Sequence, residues 1–429
     1  MNQDPQAAQV TPPHTLRPWS LPQAQSPALV ELQRRLAAGE SATELVAEFL
    51  AGGTPVLEDA EEAGQVLVTF AWQGQAPHGV LLQSNRLNDI LDPGDTLMAQ
   101  LPGTDLHVLT LSLPEDWIGG YQFLVLPEAL RTPKLHTGAD RPYLARLRAG
   151  LCGDPHARET AQAKRGTVAQ AVGRGPAATT FRLDQGERPG AELRVESSSV
   201  SSVANGIELT LHRWSHPEAP EDGPTCLFLD GEVWQRQYPI LPALLAEMES
   251  GHLPPMHVLL LESGGPRQRQ LDYLGTPEQI RQFLLTISAA GGVGEKSPLI
   301  ICGQSLGGLF AMRATTFHPD LVAAGIAQSP SLWWPIGGQF REHRGQWFRE
   351  RAAAVKAARE GKGQAPTPLV LHNGLLEWDL ADDVRHAAAL LEIEGTLIEH
   401  RQFSAGHEVL WWQQALPEAL VATTTHLHL

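Results

Sequence analysis

One apolar run that ends in a glycine-flanked serine constrains this chain more than any other feature: Pro298-Leu299-Ile300-Ile301-Cys302-Gly303-Gln304-Ser305-Leu306-Gly307-Gly308. The run reads as a buried strand, Gly-x-Ser-x-Gly as a tight turn, and Leu306 to Phe317 as a helix. Strand, turn and helix in that order make a nucleophile elbow. Glycine at 303 and 307 leaves out the side chains that would collide where strand and helix converge, and Ser305 at the tip keeps its hydroxyl exposed. An ordinary strand-to-helix connection with a capping serine shares part of this pattern, so partners must be sought elsewhere in the chain.

A length of 429 residues exceeds one ordinary domain, and 42% hydrophobic content is enough for sizeable cores, so two domains are expected. The net charge of −16 argues against nucleic acid or an anionic membrane as partner, because polyanions require a basic footprint. Cys226 and Cys302 lie inside apolar strand-like runs and Cys152 stands apart, which suggests free thiols in a reducing compartment. The stretch MNQDPQAAQVTPPHTLRPWS has neither a basic nor an apolar leader region. No run reaches the roughly 18 apolar residues that span a bilayer. A cytoplasmic protein without membrane partners is expected.

Residues up to about Gln25 are rich in Pro and Gln and are expected to lack regular structure. Ser26-Pro27 then offers a cap and a first-turn proline for a helix ending near Gly39, and Ser41-Ala42-Thr43-Glu44 starts a second that Gly52-Gly53 stops. From Gln65 the period changes to two, with Val66, Val68, Phe70 and Trp72 alternating, and further short runs follow to Leu126. These predict a small β-sandwich. The expected division is an N-terminal region over 1–150, a Gly-, Ala- and Arg-rich linker over 151–191, and an α/β domain over 192–429.

In that last part, strand candidates are Glu192 to Val195, Gly206 to His212, Thr225 to Leu229, His257 to Leu261, Pro298 to Cys302, Ala323 to Ala327, Pro368 to His372 and Leu397 to Phe403. Helical patterns between most of them predict an α/β sheet covered on both faces, opened by an antiparallel pair.

Serine attacks only if a base takes its proton. His407, in a Gly-His loop after the last predicted strand, stands where the hydrolase order Ser, acid, His puts the base. The acid is expected in the loop after the preceding strand, where Glu377 and Asp379 compete, with Asp382 and Asp383 close behind. A backbone N–H at Leu306 is one expected oxyanion donor, and the second is expected near Gly231, in the loop after Thr225 to Leu229.

Taken as a set, the chain resembles the enterochelin (iron-enterobactin) esterase family. The resemblance rests on Leu227-Phe228-Leu229-Asp230-Gly231-Glu232-Val233-Trp234, the Gly-Gln-Ser-Leu-Gly-Gly-Leu elbow, Gln328-Ser329-Pro330-Ser331-Leu332-Trp333-Trp334, Gly374 with Glu377, and Gly406-His407-Glu408 before Trp411-Trp412. Upstream, Val66 to Trp72, Gly103 to Leu106 and Leu113 to Tyr121 resemble that family's N-terminal domain. What this implies is an α/β-hydrolase domain behind an immunoglobulin-like β-sandwich, acting on the trilactone of ferric enterobactin or a related tri-catecholate siderophore. Ser305 would be nucleophile, His407 base, and Glu377 the carboxylate after Gly374. Iron would enter only with the substrate, and no metal or organic cofactor is required.

The chain departs from the family after the strand at Leu259, where the expected Ile-Asp and Arg-x-x-Glu-Leu are replaced by Leu261-Glu262-Ser263-Gly264-Gly265-Pro266-Arg267-Gln268-Arg269-Gln270-Leu271. Arg267 and Arg269 still offer cations to an anionic substrate. Trp234, Trp333 and Trp334 are candidates for stacking on aryl rings, with core packing as the alternative. A carbohydrate or aryl esterase, and a non-catalytic siderophore-binding protein, are the competing expectations.

Overall fold

In the computed structural model, residues 16–89, 93–130, 141–163, 166–173, 195–334 and 345–429 are described. Ser26 accepts a hydrogen bond from the Leu29 N–H and starts helix α1 (Pro27–Ala37), and Ser41 caps α2 (Ala42–Ala51). Both lie on the outer face of a four-stranded antiparallel sheet, where Leu32, Leu45 and Leu50 pack on Ala71, Leu106 and Val108. Its order is β1-β2-β5-β4, with β1 (Val56–Asp59), β2 (Gln65–Gln73), β4 (Ala99–Gln100) and β5 (Leu106–Pro114).

The period-two pattern sends Val66, Val68, Phe70, Leu109 and Leu111 to the inner face. There they meet Val80, Leu82, Tyr121, Phe123, Ala169 and Ala171 from a second antiparallel sheet. That sheet runs β3-β6-β9-β8, with β3 (Val80–Ser84), β6 (Ile118–Val125), β8 (Thr160–Ala163) and β9 (Gly166–Val172), and β7 (Leu151–Cys152) also pairs with β6. Helix α3 (Arg141–Arg148) covers its outer side through Tyr143 and Leu147.

Two expectations for this half need correction. Residues 16–25 do take part in the fold, whereas 1–15 lie outside the described residues: Leu21 is buried in the sandwich core, Gln23 bridges Leu111, and Arg17 pairs with Asp95. The expected linker contains β7, β8 and β9. Strand β9 reads GTVAQAV, with too little apolar contrast in its inward positions to read as strand; Ala169 and Ala171 suffice there because large side chains already fill the facing layer. Residues 174–191 of that linker lie outside the described residues.

The C-terminal half holds an eight-stranded sheet in the order β10-β11-β13-β12-β14-β15-β16-β17. Strands β10 (Glu196–Ser201) and β11 (Glu208–Ser215) form the expected antiparallel pair, and β11 runs antiparallel to β13 (His257–Leu261). From there β12 (Thr225–Leu229), β14 (Leu299–Gln304), β15 (Ala324–Gln328), β16 (Leu369–Gly374) and β17 (Leu397–Phe403) continue in parallel. The first strand lies later than the expected Glu192 to Val195, of which 192–194 are outside the described residues. Strand β10 is rich in serine and buries Val200 alone, as an edge strand tolerates.

Helices α4 (Leu241–Glu249) and α10 (Val409–His426) cover one face of this sheet. Helices α5 (Pro266–Tyr273), α6 (Pro277–Gly291) and α7 (Leu306–Phe317) cover the other, extended by α8 (Gln346–Arg359) and α9 (Ala381–Glu394). The central strands are buried on both faces, which is why they read as unbroken apolar runs. Among the described residues no helix is long and apolar enough to cross a membrane.

Candidate active site

Between β14 and α7, Ser305 takes φ 57° and ψ −117°, a conformation costly for any residue with a Cβ. The turn is held from both sides: the Ser305 N–H donates to the Gln328 carbonyl, and the Ser331 N–H donates to the Ser305 carbonyl. Close packing requires glycine at 303, where an added Cβ would stand 2.1 Å from the Gly307 carbonyl oxygen. At Gly307 a Cβ would meet only ordinary contacts at 3.5 Å; the tighter downstream position is Gly308, 3.1 Å from the Gln328 oxygen and Pro330 Cα. Ser305 Oγ lies 3.3 Å from Ser331 Oγ.

Strand β16 ends at Gly374, and the turn after it points Glu377 back under the sheet edge, fully buried. Its Oε1 lies 2.5 Å from His407 Nδ1. Its Oε2 accepts hydrogen bonds from the Gly374 N–H at 2.6 Å and the Ser329 hydroxyl at 2.9 Å. Ser329 in turn accepts the indole N–H of Trp412 at 3.0 Å, and that indole meets the His407 ring edge-on with centroids 5.0 Å apart. With the carboxylate as acceptor, Nδ1 is the donor of this contact.

The other acid candidates are engaged elsewhere. Asp379 pairs with Arg86 of the N-terminal half at 2.8 Å, and the Arg86 guanidinium also lies over Trp378. Asp382 is a surface residue on α9, bonded to Arg385.

Ser305 and His407 line one cleft of about 390 Å³, together with Leu306, Asp230, Trp234 and Arg269. Leu306 is the first residue of α7, so its N–H has no intrahelical acceptor and suits an oxyanion. Gly231 is packed toward β13, where a Cβ would stand 2.6 Å from the Leu260 backbone; its neighbours Asp230, Glu232 and Val233 line the cleft. Asp230, at φ 59°, takes a bidentate pair from Arg269, whose guanidinium also donates to the Gln304 carbonyl at 2.9 Å. Burial and the Asp230 carboxylate push the Tyr273 phenol well above its ordinary range, so it stays neutral beside them.

The substrate-facing residues expected from sequence are dispersed. Arg269 lies at the cleft, but its charge is matched by Asp230. Arg267 is exposed on α5. Trp234 lines the cleft but is almost wholly buried, and its indole N–H is spent on the Leu229 carbonyl at 2.9 Å. Trp333 is buried with Leu306 and Phe310, and Trp334 lies under the Arg313 guanidinium. A larger cavity of about 620 Å³ opens between the two halves and shares His407, Val409 and Trp412 with the cleft. Arg86, Trp378 and Tyr238 are among its lining residues. Sequence reasoning missed these, along with Ser329 and Ser331 as partners of the site, because nothing local marks a side chain for a distant contact. The strand-end position of Ser329 after β15, next in sheet order to the elbow, was the available signal. Among the described residues no three His, Cys, Asp or Glu side chains come together as a metal site.

A family model described as "Enterochelin esterase, N-terminal" matches residues 67–182, and one described as "Putative esterase" matches residues 214–423. An iron(III) enterobactin esterase of Dickeya dadantii is 26% identical over 390 residues, spanning 85% of this chain and 88% of the relative. An iron(III) salmochelin esterase of Escherichia coli O6:H1 is 25% identical over 412 residues, spanning 92% and 97%. Among solved structures, a ferric enterobactin esterase from Salmonella typhimurium superposes with a TM-score of 0.71 at 22% identity, covering 89% of this chain and 99% of that one. An enterobactin esterase from Shigella flexneri, crystallised in the presence of enterobactin, superposes at 0.69 with 21% identity, covering 87% and 97%. The fold, an α/β-hydrolase-like domain with a mixed sheet, is shared with both.

Proposed function

The chain belongs to the enterochelin esterase family, and on that premise we propose that it hydrolyses the ester bonds of a ferric tri-catecholate siderophore using Ser305, His407 and Glu377. The observation that carries the assignment of roles is the 2.5 Å contact between Glu377 and His407 in the cleft that also holds the Ser305 elbow.

Ser305 Oγ exchanges its Ser331 neighbour for His407 Nε2 as substrate enters, since catalytic hydrogen bonds commonly tighten only in the complex. Oγ then attacks the lactone carbonyl while Nε2 takes its proton. The carbonyl oxygen becomes an oxyanion facing the Leu306 N–H and an amide of the 230–233 loop. Collapse breaks the ester C–O bond, the leaving alkoxide receives the proton from the imidazolium, and an acyl-enzyme remains. Water attacks that acyl group with His407 again as base, releasing the carboxylate and restoring Ser305. Glu377, buried and fed by two donors, stabilises the imidazolium in both steps.

A bulky three-armed substrate needs more room than the cleft alone, and the adjoining cavity of about 620 Å³ supplies it within the size range of small-molecule sites. This assigns the substrate wall to Arg86, Trp378 and Tyr238 in place of Arg267, Trp333 and Trp334. The N-terminal half through β9 is taken as an immunoglobulin-like sandwich domain and the part from β10 onward as the hydrolase domain, a division supported by their separate apolar cores. Three free thiols, including Cys226 and Cys302 with sulfurs 3.4 Å apart, support a reducing, cytoplasmic setting.

The test is incubation with ferric enterobactin and mass spectrometry of the products. Linear dihydroxybenzoyl-serine species are expected from the wild type and not from Ser305→Ala. Turnover of p-nitrophenyl butyrate without any siderophore product would instead favour an aryl or sugar ester. Equal rates for wild type and Ser305→Ala on both substrates would leave a ligand-binding role only.

A further inference from the structure

Glu408 follows the base directly and is the N-cap residue of α10, yet its side chain makes no capping hydrogen bond to its own helix. An acidic residue at this position ordinarily serves the first-turn N–H groups behind it. Here the carboxyl group turns the other way, and Oε2 accepts the N–H of Gly120 on β6 at 2.6 Å. Oε1 is buried and has no partner among the described residues, so the contact to the N-terminal sheet is what anchors this side chain. Gly120 suits the contact because an added Cβ would stand 2.9 Å from Glu408 Oε2 and 3.0 Å from Val168.

Three further contacts run along the same seam. The Ile118 N–H donates to the Ser404 carbonyl at 3.1 Å, and Ile118 forms a β-bridge with Ala405. The Asn85 side-chain amide donates to the His407 carbonyl at 2.5 Å. An added Cβ at Gly406 would stand 2.3 Å from the Asn85 oxygen, so the loop lies directly on the N-terminal half. The segment 404–408 that carries His407 is thus gripped by Glu377 from one domain and by β6 and Asn85 from the other.

We infer that Glu408 is a positioning residue for the base: seated on the Gly120 N–H, it locks the His407 loop against the N-terminal sheet and thereby holds Nε2 in line with Ser305. The inference rests on the esterase role proposed for that pair. It gives the N-terminal domain a part in the chemical step besides walling the cavity. Glu377 from the hydrolase loops and Tyr238 from the segment before α4 lie close enough to sense the carboxyl's charge, and His407, Arg86 and Arg148 line the same cavity as Glu408. Neither arginine is bonded to Glu408, which leaves the backbone N–H as its hydrogen-bond partner.

The test compares Glu408→Gln, whose amide oxygen still accepts from Gly120, with Glu408→Met, which keeps the length and loses the acceptor. On p-nitrophenyl butyrate, the Gln variant is expected within about threefold of wild-type kcat, and the Met variant about tenfold or more below it with KM little changed. The downfield proton resonance of His407 Nδ1–H is expected to persist in wild type and Gln, and to broaden or vanish in Met. Gly120→Ala, which pushes the carboxylate away from the other side, is expected to behave like Met and decides the matter if Met does not fold. Wild-type kcat and an unchanged resonance in Met or in Gly120→Ala would overturn the inference, as would a Gln variant impaired as deeply as Met. Failure of the esterase role is distinguishable: the wild type itself would then show no Ser305-dependent turnover, while the resonance would still report whether Glu408 holds the ring.

Discussion

Glu377 reaches His407 across a sequence separation of 30 residues, its Oε1 2.5 Å from Nδ1, while Asp379 two positions later points to Arg86. Two neighbouring carboxylates therefore have separate duties in the fold, one holding the His407 ring and one at the domain seam.

Replacing each by its amide separates those duties. Glu377→Gln is expected to lower kcat on p-nitrophenyl butyrate by about 10³-fold or more, because the imidazolium loses its counter-charge and its tautomer is no longer dictated. Asp379→Asn is expected to cost less than about tenfold in kcat and to appear mainly as a weaker interdomain pair. Steady-state kinetics of the two variants check this, and the reverse order would move the acid to Asp379.

Ser329 is predicted to matter through Glu377. Removing its hydroxyl leaves Glu377 Oε2 with Gly374 as donor and strands the Trp412 indole N–H. A hydrogen bond to a charged group is worth about 1.5–3 kcal/mol, so Ser329→Ala is expected to reduce kcat by about tenfold to a hundredfold with KM nearly constant. Unchanged kcat would mean that Gly374 alone orients the carboxylate.

The two motif glycines are predicted to differ sharply. Gly303→Ala puts a Cβ 2.1 Å from a backbone oxygen that has nowhere to go, and is expected to abolish folding of the elbow and activity together. Gly307→Ala meets only 3.5 Å contacts and replaces a helical glycine, so it is expected to keep activity and be neutral or stabilising by up to about 1 kcal/mol. Thermal melts and turnover of the two variants provide the comparison; equal damage from both would contradict it.

The buried Glu408 carboxyl predicts a pH dependence. Burial, with the Glu377 charge adding to it, pushes its pKa from an ordinary 4.5 to about 8. The folded protein therefore holds a proton that the unfolded chain releases near 4.5. Its contribution to stability is fully present below pH 4.5 and is lost as pH rises to about 8, with a slope of at most about 1.4 kcal/mol per pH unit. Glu408→Gln does not titrate, so the difference in urea-melt stability between wild type and variant is expected to move in the variant's favour from pH 5 to pH 8. A difference that stays constant across that window would show that Glu408 is solvated or already ionised.

How far the chain could be read in advance depended on how local each cause is. The elbow was legible because strand, glycine spacing and helix lie within a single stretch, 298–317, and each element owes its form to its own residues. The parallel core strands were legible because burial on both faces leaves them almost wholly apolar. Strand β9 was not, because Ala169 and Ala171 suffice in its inward positions once the opposite layer supplies the bulk. The tryptophans at 333 and 334 were left open between stacking and core packing for a related reason: position near the elbow says nothing about which way a ring turns, and burial of a large apolar area turned Trp333 into the core.

Composition, period and motif order by themselves determined the strand, turn and helix of the elbow at Ser305, and named His407 and a short list of acids as its candidate partners. The contact of Glu377 with His407, the pairing of Asp379 with Arg86, the hydrogen bonds of Ser329 and Trp412, and the reach of Glu408 to Gly120 were decided only when β15, β16, the His407 loop and the N-terminal sheet met in space. Each depends on distances between residues far apart in the chain, and carboxylates with similar local surroundings acquire different partners once the backbone around them is fixed.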